Sequence, residues 1–181
     1  GTPTDGSTPT AKSKEFPADG LTIKETTVVR IRAFQPEFVP SPTVSATFFI
    51  NDAPATPIVS LITDEDYLFN KKTGALVKGT GSIPNYDKEL EYPINIEYFT
   101  GDGVCEINQM GTFTCSGHSA RINAQKSMAL YARKAYGNDR FAFNPFPTRD
   151  YDSYKSILLR AANSDTYATR LRDIVASSLA E

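Results

Sequence analysis

A mainly β chain of the α+β class is predicted by three features of the sequence. Apolar residues recur at every second position in several short runs, prolines punctuate the connections between them, and helical spacing is confined to two short stretches. The first of these stretches starts near Thr63 and the second carries the C-terminal tail. The 181 residues suit one medium domain or two small ones, and an apolar fraction of 40% is enough for a packed core.

The elements follow in order. "TDGSTPT" (4–10) is read as a turn, because Asp5-Gly6 supplies the positive φ and side-chain capping of a tight reversal. The run 21–34 alternates around Val29, Ile31 and Ala33, the period of a half-buried strand. "QPEFVPSP" (35–42) leads to a second strand over 43–50, since proline cannot donate to a central ladder. "NDAPATP" (51–57) looks like an interdomain joint, with Asp52, Pro54 and Pro57 in place of periodic residues. Beyond it the pattern mixes α and β.

"IVSLI" (58–62) reads as a short buried strand, and Thr63 with Asp66 has capping-box spacing, so a short helix is expected over 63–70. Asp64, Glu65 and Asp66 are read as acids favoured at that helix start rather than as metal ligands. Strands are expected over 91–99, ended by the Gly101-Asp102-Gly103 turn, and over 111–115, 127–132 and 154–161. In the tail, Leu171, Ile174, Val175 and Leu179 share one helical face. That stripe must dock on something, which predicts a homo-oligomer or a partner segment.

The bulk properties exclude several classes. A net charge of −2 and a pI of about 5.5 lack the basic footprint of a nucleic-acid-binding protein. No run approaches the roughly 18 apolar residues of a membrane span. There is no initiating Met and no signal-peptide pattern, so Gly1 is read as a processing boundary. Cys105 and Cys115 could pair if their strands formed a hairpin, or stand as two half-buried thiols; two thiols alone complete no zinc shell.

The chemistry concentrates in "GHSARINAQKSMALYARKAYG" (117–137), which holds the only histidine, His118. Met128, Leu130 and Ala132 alternate with Ala129, Tyr131 and Arg133, and Gly117 and Gly137 bound the run, which favours a strand. Ahead of it, "GHSAR" is a small polar turn whose backbone N–H groups, with Ser119, Arg121 and Lys126, can cradle an anion. The plainer reading is a solvated loop feeding a strand with a basic edge. "KGTGS" (78–82) has glycines but lacks the lysine and hydroxyl of a phosphate loop in register. Neither H-R-D-x-x-x-x-N nor D-F-G occurs, and His118 has no carboxylate or serine at an informative spacing. Asp150 and Asp152 read as part of a surface loop.

Two resemblances rest on these stretches. The "TDGSTPT" turn, a later proline and "TTVVRIRAF" make residues 1–51 resemble part of the small β-sandwich module, related to fibronectin type III domains, at the ends of chitobiases and hexosaminidases. Residues 57–181 resemble the front part of the spore coat protein H (CotH) kinase-like family. The matching pieces, in order, are "PIVSLITDEDYLF", "YPINIEYFTGDG", the 117–137 segment, and "YKSILLRAANSD" with "TRLRDIVASSL". The resemblance implies an atypical protein kinase fold using ATP and a divalent metal such as Mg, in an exported bacterial protein acting on secreted or coat proteins. Arg121, Lys126 and Ser127 fall on the family's basic nucleotide-side motif, and Arg160, Asp165, Arg172 and Asp173 on later motif positions. Gln125 stands where the family has a lysine, and Ala161 and Ala162 replace polar or glycine positions. The family's metal-binding and catalytic acids would follow Glu181, so phosphoryl transfer by this stretch alone is not expected. The competing expectation is a non-enzymatic adhesion or carbohydrate-binding module at the cell surface or in the periplasm. It would use some of the nine Tyr and eleven Phe, there being no Trp.

Overall fold

The computed structural model describes residues 7–52, 55–146, 149–162, 169 and 171–179. It is mainly β, built from antiparallel sheets. Strands β1 (Thr27–Ile31) and β2 (Val44–Phe48) form a hairpin. A five-stranded sheet follows, ordered β3 (Ile58–Ile62), β4 (Tyr92–Phe99), β5 (Cys105–Ser116), β6 (Ser127–Tyr131) and β9 (Ser156–Leu159). Two short strands, β7 (Phe141–Ala142) and β8 (Ser153–Tyr154), pair beside it. The helices are α1 (Glu65–Phe69) and α2 (Arg172–Leu179). No helix among the described residues is long and apolar enough to cross a membrane.

Alternation decides which face of the large sheet becomes the core. Ile94 and Ile96 of β4, Phe113 of β5 and Leu130 of β6 lie on one face and are at most 2% exposed. Ala75, Leu90 and Phe141 cover them, together with Tyr67 of α1, whose ring stacks 4.6 Å from that of Tyr92. The opposite face is largely polar: Ser60, Asn95, Glu97, Asn108, Thr112 and Thr114 occupy alternate positions there, with Ile62, Pro93 and Met110 among them.

The hairpin stands on that polar face. Its β2 edge is capped by side chains of the large sheet rather than by another strand. Glu97 accepts from the Thr47 amide at 3.1 Å and from the Thr47 hydroxyl, while Asn108 donates from Nδ2 to Ser45 O and to Glu97 at 2.9 Å. Phe49 meets Phe99 edge-on at 5.0 Å. Arg30 of β1, only 7% exposed, pairs with Asp64 at 3.1 Å. These bonds bridge the expected joint at 51–57, of which residues 53 and 54 lie outside the described residues.

The structure bears on three local readings. The capping box does not form: Thr63 donates its hydroxyl to Pro93 O, and Asp64 takes the N-cap position with its carboxylate turned to Arg30 and Thr8. The cysteines sit at the two ends of one strand, β5, not across a hairpin. Ten residues of strand separate them by about 33 Å, far beyond the roughly 7 Å limit of a disulfide, and both thiols are free. In "KGTGS", Gly79 has φ +74° and a Cβ there would lie 2.6 Å from the buried Asn85 amide, so this glycine serves packing. The tail is helical as expected, with Leu171, Val175 and Leu179 at least half exposed; the side chain of Ile174 lies outside the described residues.

Candidate functional site

The basic segment folds as a corner at the end of the β5–β6 hairpin. After Gly117 the chain makes a 3-10 turn over Ser119–Ile122, then enters β6 at Ser127. Met128, Leu130 and Ala132 point to the core, and Ala129, Tyr131 and Arg133 to the polar face, as their alternation predicts.

The corner holds four of the seven sequence-derived site residues. Arg121 lies in the 3-10 turn and pairs with Asp87 at 3.5 Å; its Nε is buried with no acceptor among the described residues. Lys126 donates from Nζ to Asn123 O at 2.6 Å and lies 4.9 Å from the centroid of the Tyr86 ring, a cation–π distance. The Ser127 hydroxyl accepts from the Ala161 amide at 3.0 Å, which draws the end of β9, and with it the exposed Arg160, to the start of β6. Arg172 and Asp173 are the first residues of a separate element, α2, where the Asp173 side chain lies outside the described residues. Asp165 also lies outside them.

Arg121 borders a cleft of about 370 Å³ that Glu89, Glu91, Thr114, Ser116, Tyr131 and Arg133 also line. Its electrostatics are set by a fork missed in the sequence. Arg133 donates from Nε and Nη2 to the two oxygens of Glu91, each at 2.7 Å, and its guanidinium lies 4.6 Å from the centroid of the Tyr131 ring. The Arg133 hydrogen bond holds the Glu91 carboxyl below its ordinary value, and the Glu91 bond raises Arg133 in return. Glu91 lies just before β4 and Arg133 just after β6, and no spacing rule links them. Thr112 adds a hydroxyl donated to Glu91.

Cys115 is buried beside this corner. Burial pushes its thiol up, outweighing the opposing charges of Arg121 and Lys126, so it stays protonated at neutral pH. Cys105 is likewise raised by burial and then by Glu97. Among the described residues no group of three His, Cys, Asp or Glu side chains is placed to hold a metal ion. The cleft lining is charge-balanced, Arg121 and Arg133 against Glu89 and Glu91, and the donors of the corner gather at its Arg121 side, where Lys126 lies beside the cleft; an anion would be held there. Comparison with protein-family models, curated proteins and solved structures returns no match.

Proposed function

We propose that the chain is the nucleotide-facing part of an exported, kinase-related bacterial protein of the CotH type, and that its basic corner binds the phosphates of ATP. The observation that carries this reading is the bond from the Ala161 amide to the Ser127 hydroxyl. It joins two of the separate segments on which the resemblance rests, so Arg121, Lys126 and Arg160 all flank the same corner of one sheet. Phosphate oxygens need donors, and these side chains offer only donors.

Occupation asks little of the corner. Arg121 and Asp87 are 3.5 Å apart with side chains 20% and 43% exposed, a weak pair that a phosphate can replace. Lys126 gives up a backbone carbonyl and a contact with the Tyr86 ring, neither of them a carboxylate. Among the described residues no group of acids is placed to hold a magnesium ion, so the metal would arrive on the phosphates. Phosphoryl transfer depends on metal and base positioning, and the reading assigns binding, not transfer, to these residues. A secreted or coat protein would be the phosphoacceptor of the complete activity.

The test is an isothermal titration of Mg-ATP into the chain, with Arg121→Ala and Lys126→Ala as controls. Saturable binding is expected, weakened roughly ten-fold or more in each variant, the scale of one charge-assisted hydrogen bond. No heat at millimolar nucleotide, or binding indifferent to both substitutions, would remove the corner as a phosphate site.

A further inference from the structure

A second cleft, of about 300 Å³, opens between the β1–β2 hairpin and the large sheet, at the lower end of the size range of small-molecule sites. It shares no lining residue with the basic corner. Side chains two apart on a strand project to the same side, so Arg30 and Arg32 both leave β1 and its extension toward the sheet. Arg30 is engaged: Nη1 donates to Asp64 at 3.1 Å and Nη2 to the Thr8 hydroxyl at 3.3 Å, while Thr8 donates to the other Asp64 oxygen at 2.6 Å. Arg32 differs. Its Nε donates to Ser41 O at 2.7 Å and its guanidinium lies 5.6 Å from the Phe34 ring, yet no carboxylate among the described residues pairs with it.

Among the described lining residues Asp64 meets Arg30, and Arg32 has no carboxylate beside it. Thr43 and Tyr136 bring hydroxyls, whereas Ile62, Pro93 and Met110, from the hairpin-facing side of the sheet, form an apolar wall. We propose that this cleft binds a small organic monoanion, a carboxylate on an apolar or aromatic body. The Arg32 terminal amines hold the carboxylate and the body lies against Ile62, Pro93 and Met110. A planar carboxylate matches the guanidinium fork of Arg32, and its single charge matches that one guanidinium. A phosphate dianion would bring a second negative charge with no partner, and would leave the apolar wall in water.

Benzoate is the probe, titrated into the whole chain and followed by backbone amide shifts in proton–nitrogen correlation spectra. Benzyl alcohol serves as the neutral analogue and inorganic phosphate as the anion without a body. Benzoate is expected to give saturable shifts around Arg32 and Met110, with both controls weaker by roughly ten-fold or more. Arg32→Gln should bring benzoate down to the level of benzyl alcohol. Met110→Trp, which fills the cleft and leaves every cation in place, should abolish the shifts even if Arg32→Gln proves unstable. Benzoate binding that survives Met110→Trp, or phosphate or benzyl alcohol binding as tightly as benzoate, overturns the assignment. Because no residue is shared with the Arg121 corner, a negative Mg-ATP titration has no bearing on this result.

Discussion

Glu91 and Arg133 show how one pair of side chains sets a pH dependence. The two-bond fork holds the Glu91 carboxyl below its ordinary value of 4.5, with burial opposing and Thr112 assisting. A carboxyl whose folded pKa lies below its unfolded one stabilises the fold fully above the unfolded value. That contribution is lost as pH falls through the lowered folded value. Both side chains are more than a third exposed, at 43% and 37%, so water and salt screen the pair and its contribution is small. Thermal unfolding of Glu91→Gln against the parent chain should therefore show a modest gap in Tm at neutral pH. The gap should hold down to about pH 5 and close as the medium becomes more acidic than the carboxyl's ordinary value. A gap of constant size across that range would mean that the fork contributes shape and not charge. At this scale the sequence is least readable. Arg121 reads as part of a basic edge because its partner, Asp87, lies in a three-residue 3-10 turn between α1 and β4, too short to show a period. Glu97 sits at an alternate position opposite Ile94 and Ile96, which ordinarily means solvent, yet it is 1% exposed. It is buried because a hairpin fifty positions away caps it, and no local pattern carries that information.

Among the elements, the strands are the part the sequence predicts well. β3 matches its expected run, and β2, β4, β6 and β9 lie within theirs, because each presents one apolar face to a core and turn residues bound it. β5 runs well beyond its expected span of 111–115, since Asn108 interrupts any apolar reading while still pairing with Glu97 on the polar face, and Glu106 sits at a register shift opposite Tyr98 and Phe99. The expected span begins at Gly111, whose role there no pattern shows. A Cβ at that position would lie 2.4 Å from the carbonyl oxygen of Tyr131, so β6 passes too close for any side chain. Gly111→Ala must push β6 away from β5, and a destabilisation of about 1–3 kcal/mol is expected in urea unfolding. Amide exchange should quicken along Ser127–Tyr131 before it does in β3 or β4. An unchanged unfolding midpoint would show that the two strands can separate at no cost, against the close packing drawn here.

For the molecule as a whole, the question is whether the hairpin and the large sheet stand or fall together. Two strands alone are marginal in water, and the outer face of this hairpin leaves Val44 66% exposed and Phe48 42% exposed. What holds it is borrowed from the sheet: the Glu97 carboxylate, the Asn108 amide, the Asp64 partner of Arg30 and the edge-on ring of Phe99. Every one of these lies beyond the expected joint at 51–57, so the bonds couple parts that the sequence reads as separate. Scanning calorimetry of the whole chain should give a single cooperative transition. Glu97→Ala removes the acceptor of the Thr47 amide and hydroxyl and leaves those donors, with the Asn108 amide, short of a partner in a buried setting. A loss of about 2–4 kcal/mol follows from groups of this kind left unpaired. Because the loss falls on the contact between the two parts and not on the core of the sheet, the variant should melt in two steps. A small early transition, in which near-ultraviolet signals of Phe49 and Phe99 disappear, should precede the main one, whose temperature stays close to that of the parent chain. A variant that melts in one step at the parent temperature would show that Glu97 does not carry the docking, and the hairpin would then have to be held by Arg30 and Asp64.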